Sequence, residues 1–192
     1  AGSERLWHSL LHQVGAIQVD SIEELIDVVL AVNYMSPPRG ENTAVIGVGG
    51  GASVQAADVC SHAGLTLPLL PAEIRLRLKD ILAIGAVRIF INPVDLFSRG
   101  RQQPIEEAIK VIAGCDQIDS LLIHIAFDMY VIPMVKALGP YVDSIITLSK
   151  QINKRTAVVL QFIALAESKQ IASEVQSKLH EAGFAVYPSV SR

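Results

Sequence analysis

Residues 44–60 read AVIGVGGGASVQAADVC, an apolar run that ends in three consecutive glycines and continues into a helical pattern. The run predicts a buried strand followed by a helix. Because the glycines carry no Cβ, a ligand can closely approach the backbone where the first N–H groups of the helix are free. Those N–H groups and the helix dipole favour a phosphate or a carboxylate. A tight turn that needs glycine only for packing explains the same residues. The predicted phosphate-binding residues are Gly49, Gly50, Gly51, Ala52 and Ser53.

The composition is that of one α/β domain with a short additional segment. The chain has 192 residues, of which 51% are hydrophobic and only 5% aromatic. Aliphatic, aromatic-poor sequence is typical of strands that helices bury on both faces. A length of this order suits a single domain of that class.

Charge and apolar patterning exclude several classes of protein. The net charge is −3 without a basic cluster, which argues against nucleic acid as a partner. No run of about 18 uncharged apolar residues occurs, so no membrane span is expected. The opening AGSERLWHSLL lacks the pattern of a secretory signal. Cys60 and Cys115 lie far apart and show no metal-ligand spacing, which favours buried thiols in a reducing compartment. We therefore expect a cytoplasmic protein.

The amino-terminal part is helical and ends in a linker. Helices are predicted over Ser3–Val14 and Ile22–Asn33, the second started by a capping box of Ser21 and Glu24. The segment MSPPRGEN is rich in proline and charge, which predicts a linker. The predicted division is a helical tail of a preceding domain over 1–35, a linker over 36–42 and a complete domain over 43–192.

Strand and helix patterns alternate through the rest of the chain. The predicted strands are Thr43–Val48, Val87–Ile91, Ser120–Ile125, Thr156–Phe162 and Ala185–Tyr187. The predicted helices are Ser53–Ala63, Ala72–Leu82, Pro104–Ile112, Ile132–Gln151 with a break near Gly139-Pro140, and Glu167–Ala182. Such alternation with right-handed crossovers predicts a parallel sheet covered on both faces. Five strands predict a flavodoxin-like three-layer sandwich, with ligands at the carboxyl ends of the strands.

A second cluster, INPVDL at residues 91–96, comes directly after the predicted second strand. It is therefore expected at the same sheet edge as the glycine turn. Asn92 precedes a proline, which disfavours the helical conformation, and Asp95 suits a cap for the next segment of chain. The functional interpretation places the Asn92 amide and the Asp95 carboxylate beside the anion site as substrate-loop residues. An Asx-Pro turn without a ligand is the alternative.

Other polar residues carry weaker signals. His124 lies near the end of the third predicted strand, but no acidic or cysteine partner is evident in the sequence, so a core or rim histidine is favoured. Asp128 comes just after that strand as a loop carboxylate. His8 and His12 share a helix face, yet no third ligand accompanies them, so no metal site is predicted.

Known uses of this fold narrow the function. A phosphoacceptor receiver needs an acidic pair after the first strand and a lysine after the last, where this chain has glycines and Pro188. A flavin-phosphate loop needs serines and threonines among its glycines and aromatics around the ring, which the segment Gly49–Ser53 and an aromatic-poor chain do not offer. A P-loop needs a lysine after its glycines, and this chain has none there. The remaining interpretation is a glycine turn that presents a helix N-terminus without a nucleophile of its own.

Several motifs resemble those of the NDP-forming acyl-CoA synthetases, the ADP-forming acetate–CoA ligase group. GGGASVQAADVCSHAGLTLPLL is similar to the pattern GGxGVxAADxCxxAGLxLPxL, which opens their C-terminal ligase-type domain. INPVDL is similar to their NPVDL, and EAGFAVYPS to their closing EAGxxVxP strand. The opening AGSERLWHSLLHQVGAIQVDSIEELID resembles the end of the preceding domain. The similarity spans essentially the whole chain, and the same domain is related to the C-terminal part of the succinyl-CoA synthetase β subunit.

The resemblance implies a ligase that interconverts acyl-CoA, phosphate and ADP with free acid, CoA and ATP, through an acyl phosphate and a phosphohistidine. In that family two flavodoxin-like domains each offer a helix N-terminus to the phosphohistidine, and Gly49–Ser53 match the one from this domain. CoA, ATP or ADP and Mg²⁺ are implied for the intact enzyme, none of them held by this segment. The implied partners are CoA-binding and histidine-bearing domains and an ATP-grasp module, in the same chain or in another subunit of a homo- or hetero-oligomer.

The family histidine lies in a Ser-His-Thr-Gly segment expected immediately before Ala1, and His8 is not its equivalent. We therefore expect no catalytic residue and no ligase activity in these 192 residues alone. Ser53 replaces a family glycine but keeps its N–H group. Phe97–Arg99 replace a Thr-Gly-Asp-Ala loop, which leaves a non-catalytic binding or regulatory module on the same scaffold as the alternative.

Overall fold

The computed structural model describes residues 3–47, 50–82, 90–96, 104–127, 132–162 and 166–192. Within these residues the chain forms seven helices and five strands. In chain order they are α1 (Glu4–Gln13), α2 (Ile22–Tyr34), β1 (Thr43–Gly47), α3 (Gly50–His62), α4 (Ala72–Ile81), β2 (Val94–Asp95), α5 (Ile105–Ala113), β3 (Ser120–Phe127), α6 (Ile132–Leu148), β4 (Arg155–Phe162), α7 (Ala166–Glu181) and β5 (Ala185–Tyr187).

The five strands form one parallel sheet in the order β2-β1-β3-β4-β5. This order and direction confirm the predicted flavodoxin-like class. β1 is buried along its whole length, as expected of a strand with helices on both faces. The carboxyl ends of β1, β2 and β3 meet at one edge, where ligands bind in open parallel sheets.

The main core lies on the face covered by α4, α5, α6 and α7. Apolar side chains that alternate along each strand point to this face. The fully buried ones include Ile46 and Ile123 from the sheet and Leu78, Ile109, Ile145 and Leu179 from the helices.

The opposite face is covered by α3 and α2. Val45 of β1 packs with Ala56 and Cys60 of α3. At the other end of the sheet, Tyr187 of β5 packs with Leu30 of α2. The two helices therefore share one layer.

Helix α2 is tied to the end of the chain by polar contacts. The Tyr187 hydroxyl donates to the Asp27 carbonyl oxygen at 3.3 Å, and Arg192 forms an ion pair with the Asp27 carboxylate. α1, in contrast, has no buried residue. Although α2 covers this sheet, the assignment of residues 1–35 to a preceding domain stays a prediction.

The predicted second strand is placed differently. Residues 83–89 lie outside the described residues, and Phe90 and Ile91 lie outside any strand. The described strand is instead Val94–Asp95, within the segment predicted as a loop. The reason is local, because the Asn92 side chain hydrogen-bonds to the β1 backbone just ahead of β2.

The break predicted near Gly139-Pro140 is wrong. α6 continues from Ile132 to Leu148 with Pro140 inside it. Proline removes one helical hydrogen bond, but the later turns of the helix are held against the core. Their buried side chains are Tyr141, Val142, Ile145 and Leu148.

The remaining predicted elements agree with the structure at most of their ends within one or two residues. The N-cap of the predicted capping box is confirmed, since the Glu24 N–H donates to the Ser21 hydroxyl at 3.0 Å. The Glu24 carboxylate accepts from the Asp20 N–H at 2.8 Å instead of from the Ser21 N–H. In the part of the chain that the structure describes, no helix has the length and apolar character needed to cross a membrane.

Candidate functional site

The glycine-rich segment forms the first turn of α3. The helix begins at Gly50, so the predicted start at Ser53 is wrong by one turn. Glycines carry no apolar signal, and the periodic pattern therefore becomes visible only after the helix has begun. Gly49, like Val48, lies outside the described residues. The first N–H groups of the turn have no acceptor within the helix, and they stand at the carboxyl end of β1.

Two glycines give this turn an open side and a packed side. A Cβ built on Gly51 meets no atom within 4 Å, whereas a Cβ on Gly47, the last residue of β1, would lie 3.0 Å from the Ser53 hydroxyl oxygen. Ser53 is only 7% exposed. Gly47 thus lets Ser53 pack against the end of the strand, and the backbone at Gly51 is left accessible.

Strand register brings two polar residues to the level of Gly47. Gly47 pairs with Asp95 of β2 on one side and with His124 of β3 on the other. Adjacent strands are about 4.8 Å apart, so the Cα atoms of Asp95 and His124 are separated by about 10 Å. The structure therefore places the predicted Asp95 and the less favoured candidate His124 beside the first turn of α3.

His124 is fully buried between the sheet and α3. Its exposed fraction is 0%, and its Nε2 atom lies 3.1 Å from Oε1 of Gln161 on β4. Burial lowers the pKa of His124 below its ordinary value of 6.5, while the Gln161 hydrogen bond and the backbone of Ala52 raise the pKa in part. Nδ1 is buried and has no hydrogen-bond partner among the described residues.

Asn92 is held by the sheet itself. Its Oδ1 atom accepts a hydrogen bond from the Val45 N–H at 2.9 Å, and its Nδ2 group donates to the Thr43 carbonyl oxygen at 2.7 Å. Both functions of the amide are therefore used to attach the segment before β2 to β1. These contacts give Asn92 a structural role, and its contact with a ligand stays a prediction.

Asp95 acts electrostatically on a tyrosine that the sequence patterns do not single out. Tyr141 of α6 is 6% exposed, and its hydroxyl has no hydrogen-bond partner in the described part of the chain. Burial raises the pKa of Tyr141 well above its ordinary value, and the Asp95 carboxylate raises it further. The Tyr141 ring lies in the main core. In the sequence it therefore looks like any other apolar core position of its helix.

Of the other polar candidates, Asp128 lies outside the described residues. His8 and His12 are exposed on α1. Across the described ranges, no group of three or more His, Cys, Asp or Glu side chains is arranged to hold a metal ion.

A polar cleft of about 490 Å³ lies at the opposite edge of the sheet, at the start of β3 and β4. The Lys154 ammonium group donates to the Cys115 carbonyl at 2.8 Å and also to that of Ile118. Arg155 donates to the Ser36 carbonyl at 2.8 Å. These hydrogen bonds from Lys154 and Arg155 connect the loops at the amino ends of the strands, away from the first turn of α3. The charged residues that line the cleft are Arg39, Lys110, Asp116, Asp119, Lys154 and Arg155.

The curated proteins similar to this chain are named as ADP-forming CoA ligases or their subunits. No family model matches the chain. It is 29% identical over 122 residues to acetate–CoA ligase (ADP-forming) I of Archaeoglobus fulgidus, a match that covers 64% of this chain and 17% of that protein. It is 24% identical over 192 residues to subunit alpha of acetate–CoA ligase (ADP-forming) I of Pyrococcus furiosus, which covers 100% of this chain and 39% of that protein. The chain thus spans less than half the length of these relatives, whose names confirm the predicted resemblance.

Solved structures share the fold over the whole chain. A Pyrococcus horikoshii protein superposes with a TM-score of 0.77 at 22% identity, covering 100% of this chain and 42% of that chain. A dinucleotide-forming acetyl-coenzyme A synthetase of Candidatus Korarchaeum cryptofilum, solved with phosphate and ADP, superposes with a TM-score of 0.75 at 23% identity. This second match covers 100% of this chain and 39% of that chain.

Proposed function

We propose that this relative of the ADP-forming acetate–CoA ligases is the C-terminal ligase-type domain of an NDP-forming acyl-CoA synthetase. Its part in the reaction is to hold a phosphoryl group at the first turn of α3. The observation that carries the proposal is the position of that turn, which stands at the carboxyl edge of the sheet with open space at Gly51. Asp95 and His124 pair in register with Gly47, the last residue of the strand before that turn.

The chemistry requires an anion to be transferred and held without a nucleophile from this chain. In the proposed reaction, phosphate displaces CoA from an acyl-CoA to give an acyl phosphate. A histidine outside these residues then takes the phosphoryl group, releasing the acid, and passes it to ADP. The backbone N–H groups of Gly51 and Ala52, in the first turn of the helix, donate to the phosphoryl oxygens. Each charge-assisted hydrogen bond of this kind contributes about 1.5–3 kcal/mol.

The remaining components are assigned to other parts of the enzyme. CoA, ATP or ADP and Mg²⁺ are proposed to bind to CoA-binding and ATP-grasp domains, in the same chain or in another subunit of an oligomer in the cytoplasm. We expect the 192 residues alone to form no ATP from acetyl-CoA, ADP and phosphate.

The test places Gly51→Asp in the enzyme assembled with its histidine-bearing and ATP-grasp parts. A carboxylate at this open position repels the phosphoryl group, so phosphohistidine formation from labelled phosphate and acetyl-CoA should slow by at least about tenfold. Gly51→Asn has nearly the same size without the charge and should slow it less. Ser53→Ala keeps the backbone N–H and should change the rate little. Wild-type labelling by a folded Gly51→Asp enzyme would show that these glycines serve only the turn.

The second candidate is a non-catalytic binding or regulatory module on the same scaffold. The replacement of the family Thr-Gly-Asp-Ala loop by Phe97–Arg99 favours it. The protein sequence encoded immediately before Ala1 discriminates between the two candidates. A Ser-His-Thr-Gly segment there supports the ligase, whereas a segment without histidine supports the regulatory module.

A further inference from the structure

His124 is a buried polar group that the proposed phosphoryl transfer leaves without a role. It is 0% exposed in a sheet whose neighbouring positions are mainly aliphatic. A buried imidazole is expected to have both nitrogens satisfied, yet Nδ1 has no partner among the described residues. An unsatisfied nitrogen under an anion-binding turn calls for a functional explanation.

The side-chain amide of Gln161 holds Nε2 of His124 across a 3.1 Å contact. The neutral ring has one protonated nitrogen and one nitrogen with a lone pair. When a second proton is bound, both nitrogens are donors and the ring acquires a positive charge.

The ring lies against the first turn of α3. The Cβ atom of His124 is 4.0 Å from the position of a Cβ on Gly47, which in turn would lie 3.0 Å from the Ser53 hydroxyl oxygen. The backbone of Ala52, in the same turn, stabilises the protonated ring. A second proton on the ring therefore places a positive charge beside the turn whose N–H groups are proposed to bind phosphate.

We propose that His124 is a proton-binding positioning residue that takes up a proton when an anion occupies the first turn of α3. The inference rests on the proposed function, because it needs the anion at that turn. Without an anion, burial disfavours the charged ring. A bound dianion compensates this penalty, and by linkage the protonated protein binds the anion more tightly.

Among the described residues, few other titratable groups face His124 from the elements packed around it. Asp95 of β2 is one strand beyond Gly47, and Cys60 of α3 is two turns along the helix with its pKa raised by burial. From β4, the facing group is the neutral amide of Gln161. Tyr141 of α6 lies in the core on the other face. Among these described groups, the imidazole is the one whose ordinary pKa lies near neutral pH.

The experiment measures sulfate binding to the 192-residue chain at constant ionic strength between about pH 8 and about pH 5. Sulfate stays a dianion over this range, so any pH dependence of its affinity belongs to the protein. Histidine ¹⁵N shifts report the pKa of His124, and the amide shifts of Gly51 and Ala52 report occupancy of the turn. We expect sulfate to raise the pKa of His124 and to bind roughly tenfold more tightly at the acidic end.

Two variants and one control make the result decisive. His124→Gln should bind sulfate at the same turn without the pH dependence. Gln161→Glu places a carboxylate beside Nε2, which raises the pKa of His124 and should move the response to higher pH; it also serves if His124→Gln does not fold. His8→Gln, on exposed α1, should behave as the wild type. Equal pH dependence in the wild type and His124→Gln overturns the inference alone, whereas unchanged amide shifts at every pH overturn the proposed phosphate site as well.

Discussion

The side-chain amide of Asn92 pairs with the backbone of Val45, whose N–H donates to Oδ1 at 2.9 Å. The same amide donates from Nδ2 to the Thr43 carbonyl oxygen at 2.7 Å. These two backbone groups flank Ala44 and are the ones that β1 offers to a neighbouring parallel strand. The Asn92 side chain therefore takes the place of strand backbone, and it fixes the position at which β2 joins the sheet.

Asn92→Ala should destabilise the protein more than an ordinary loss of a polar side chain. The substitution leaves the N–H of Val45, a residue with 0% exposure, without its acceptor. We expect the free energy of unfolding in urea to fall by about 2–4 kcal/mol. Asn153→Ala, at an exposed position before β4, is the matched control and should change it by less than about 0.5 kcal/mol. Equal effects of the two substitutions would contradict the structural role of Asn92.

The same residue shows how far the fold could be predicted from sequence. The cores of β3 and β4 could be predicted from the aliphatic runs at Leu121–Ile125 and Ala157–Leu160, because burial on both faces requires such runs. The second strand could not, since a side-chain amide supplies part of its pairing. A pattern of apolar residues contains no signal that a side chain takes the place of strand backbone.

The candidate site was predictable only in part for a related reason. The glycine turn is local in sequence, so its residues and its position after β1 could be named directly. His124 and Gln161 are 37 positions apart, and only the register between β3 and β4 brings them together. Tyr141 and Asp95 are likewise related through the packing of α6 on the sheet. A single sequence gives no information on such distant pairs.

Gly47→Ala should destabilise the protein, because the new methyl group would crowd one atom of Ser53. The new Cβ would lie 3.0 Å from the Ser53 hydroxyl oxygen, which is closer than ordinary van der Waals contact. We expect a loss of about 1–3 kcal/mol in the free energy of unfolding. Ser53→Ala removes that oxygen. In a Ser53→Ala background, Gly47→Ala should therefore lower the free energy of unfolding by at most half as much as it does in the wild type. Strict additivity in this double-mutant cycle would show that the two positions do not interact.

Tyr141→Phe should leave stability at neutral pH unchanged or raise it by up to about 1 kcal/mol, because it removes a buried hydroxyl that lacks a hydrogen bond among the described residues. Burial also raises the pKa of Tyr141 in the folded state. Above about pH 10 the unfolded chain loses this proton while the folded chain retains it, so the free energy of unfolding falls as the pH rises. The variant should show a shallower decline.

Urea unfolding between about pH 9 and about pH 11 measures this decline. Some slope should remain in Tyr141→Phe, since burial also raises the pKa of Tyr187. Tyr34→Phe, at a position that is 39% exposed, should keep the slope of the wild type. An unaltered slope in Tyr141→Phe would mean that this phenol ionises as readily in the folded protein as in the unfolded chain.

Acid should weaken the fold through His124. Burial lowers its pKa below the ordinary 6.5 in the folded state. As the pH falls below about 6.5, the unfolded chain binds a proton that the folded chain resists, so the free energy of unfolding decreases. The contribution is fully present above that pH and is lost progressively below it. In His124→Gln, which keeps a hydrogen-bonding side chain without titrating, the corresponding decrease should be smaller.

The measurement compares urea unfolding at about pH 7.5 and about pH 5.5 for the wild type, His124→Gln and His8→Gln. His8 is exposed on α1, so its replacement should leave the acid decrease as it is in the wild type. Added sulfate should reduce the decrease in the wild type, because an anion at the first turn of α3 favours the protonated ring that burial alone disfavours. It should not reduce the decrease in His124→Gln. A sulfate effect of equal size in both proteins would show that the anion does not bind near His124. The acid sensitivity of the fold would then be unrelated to the proposed site.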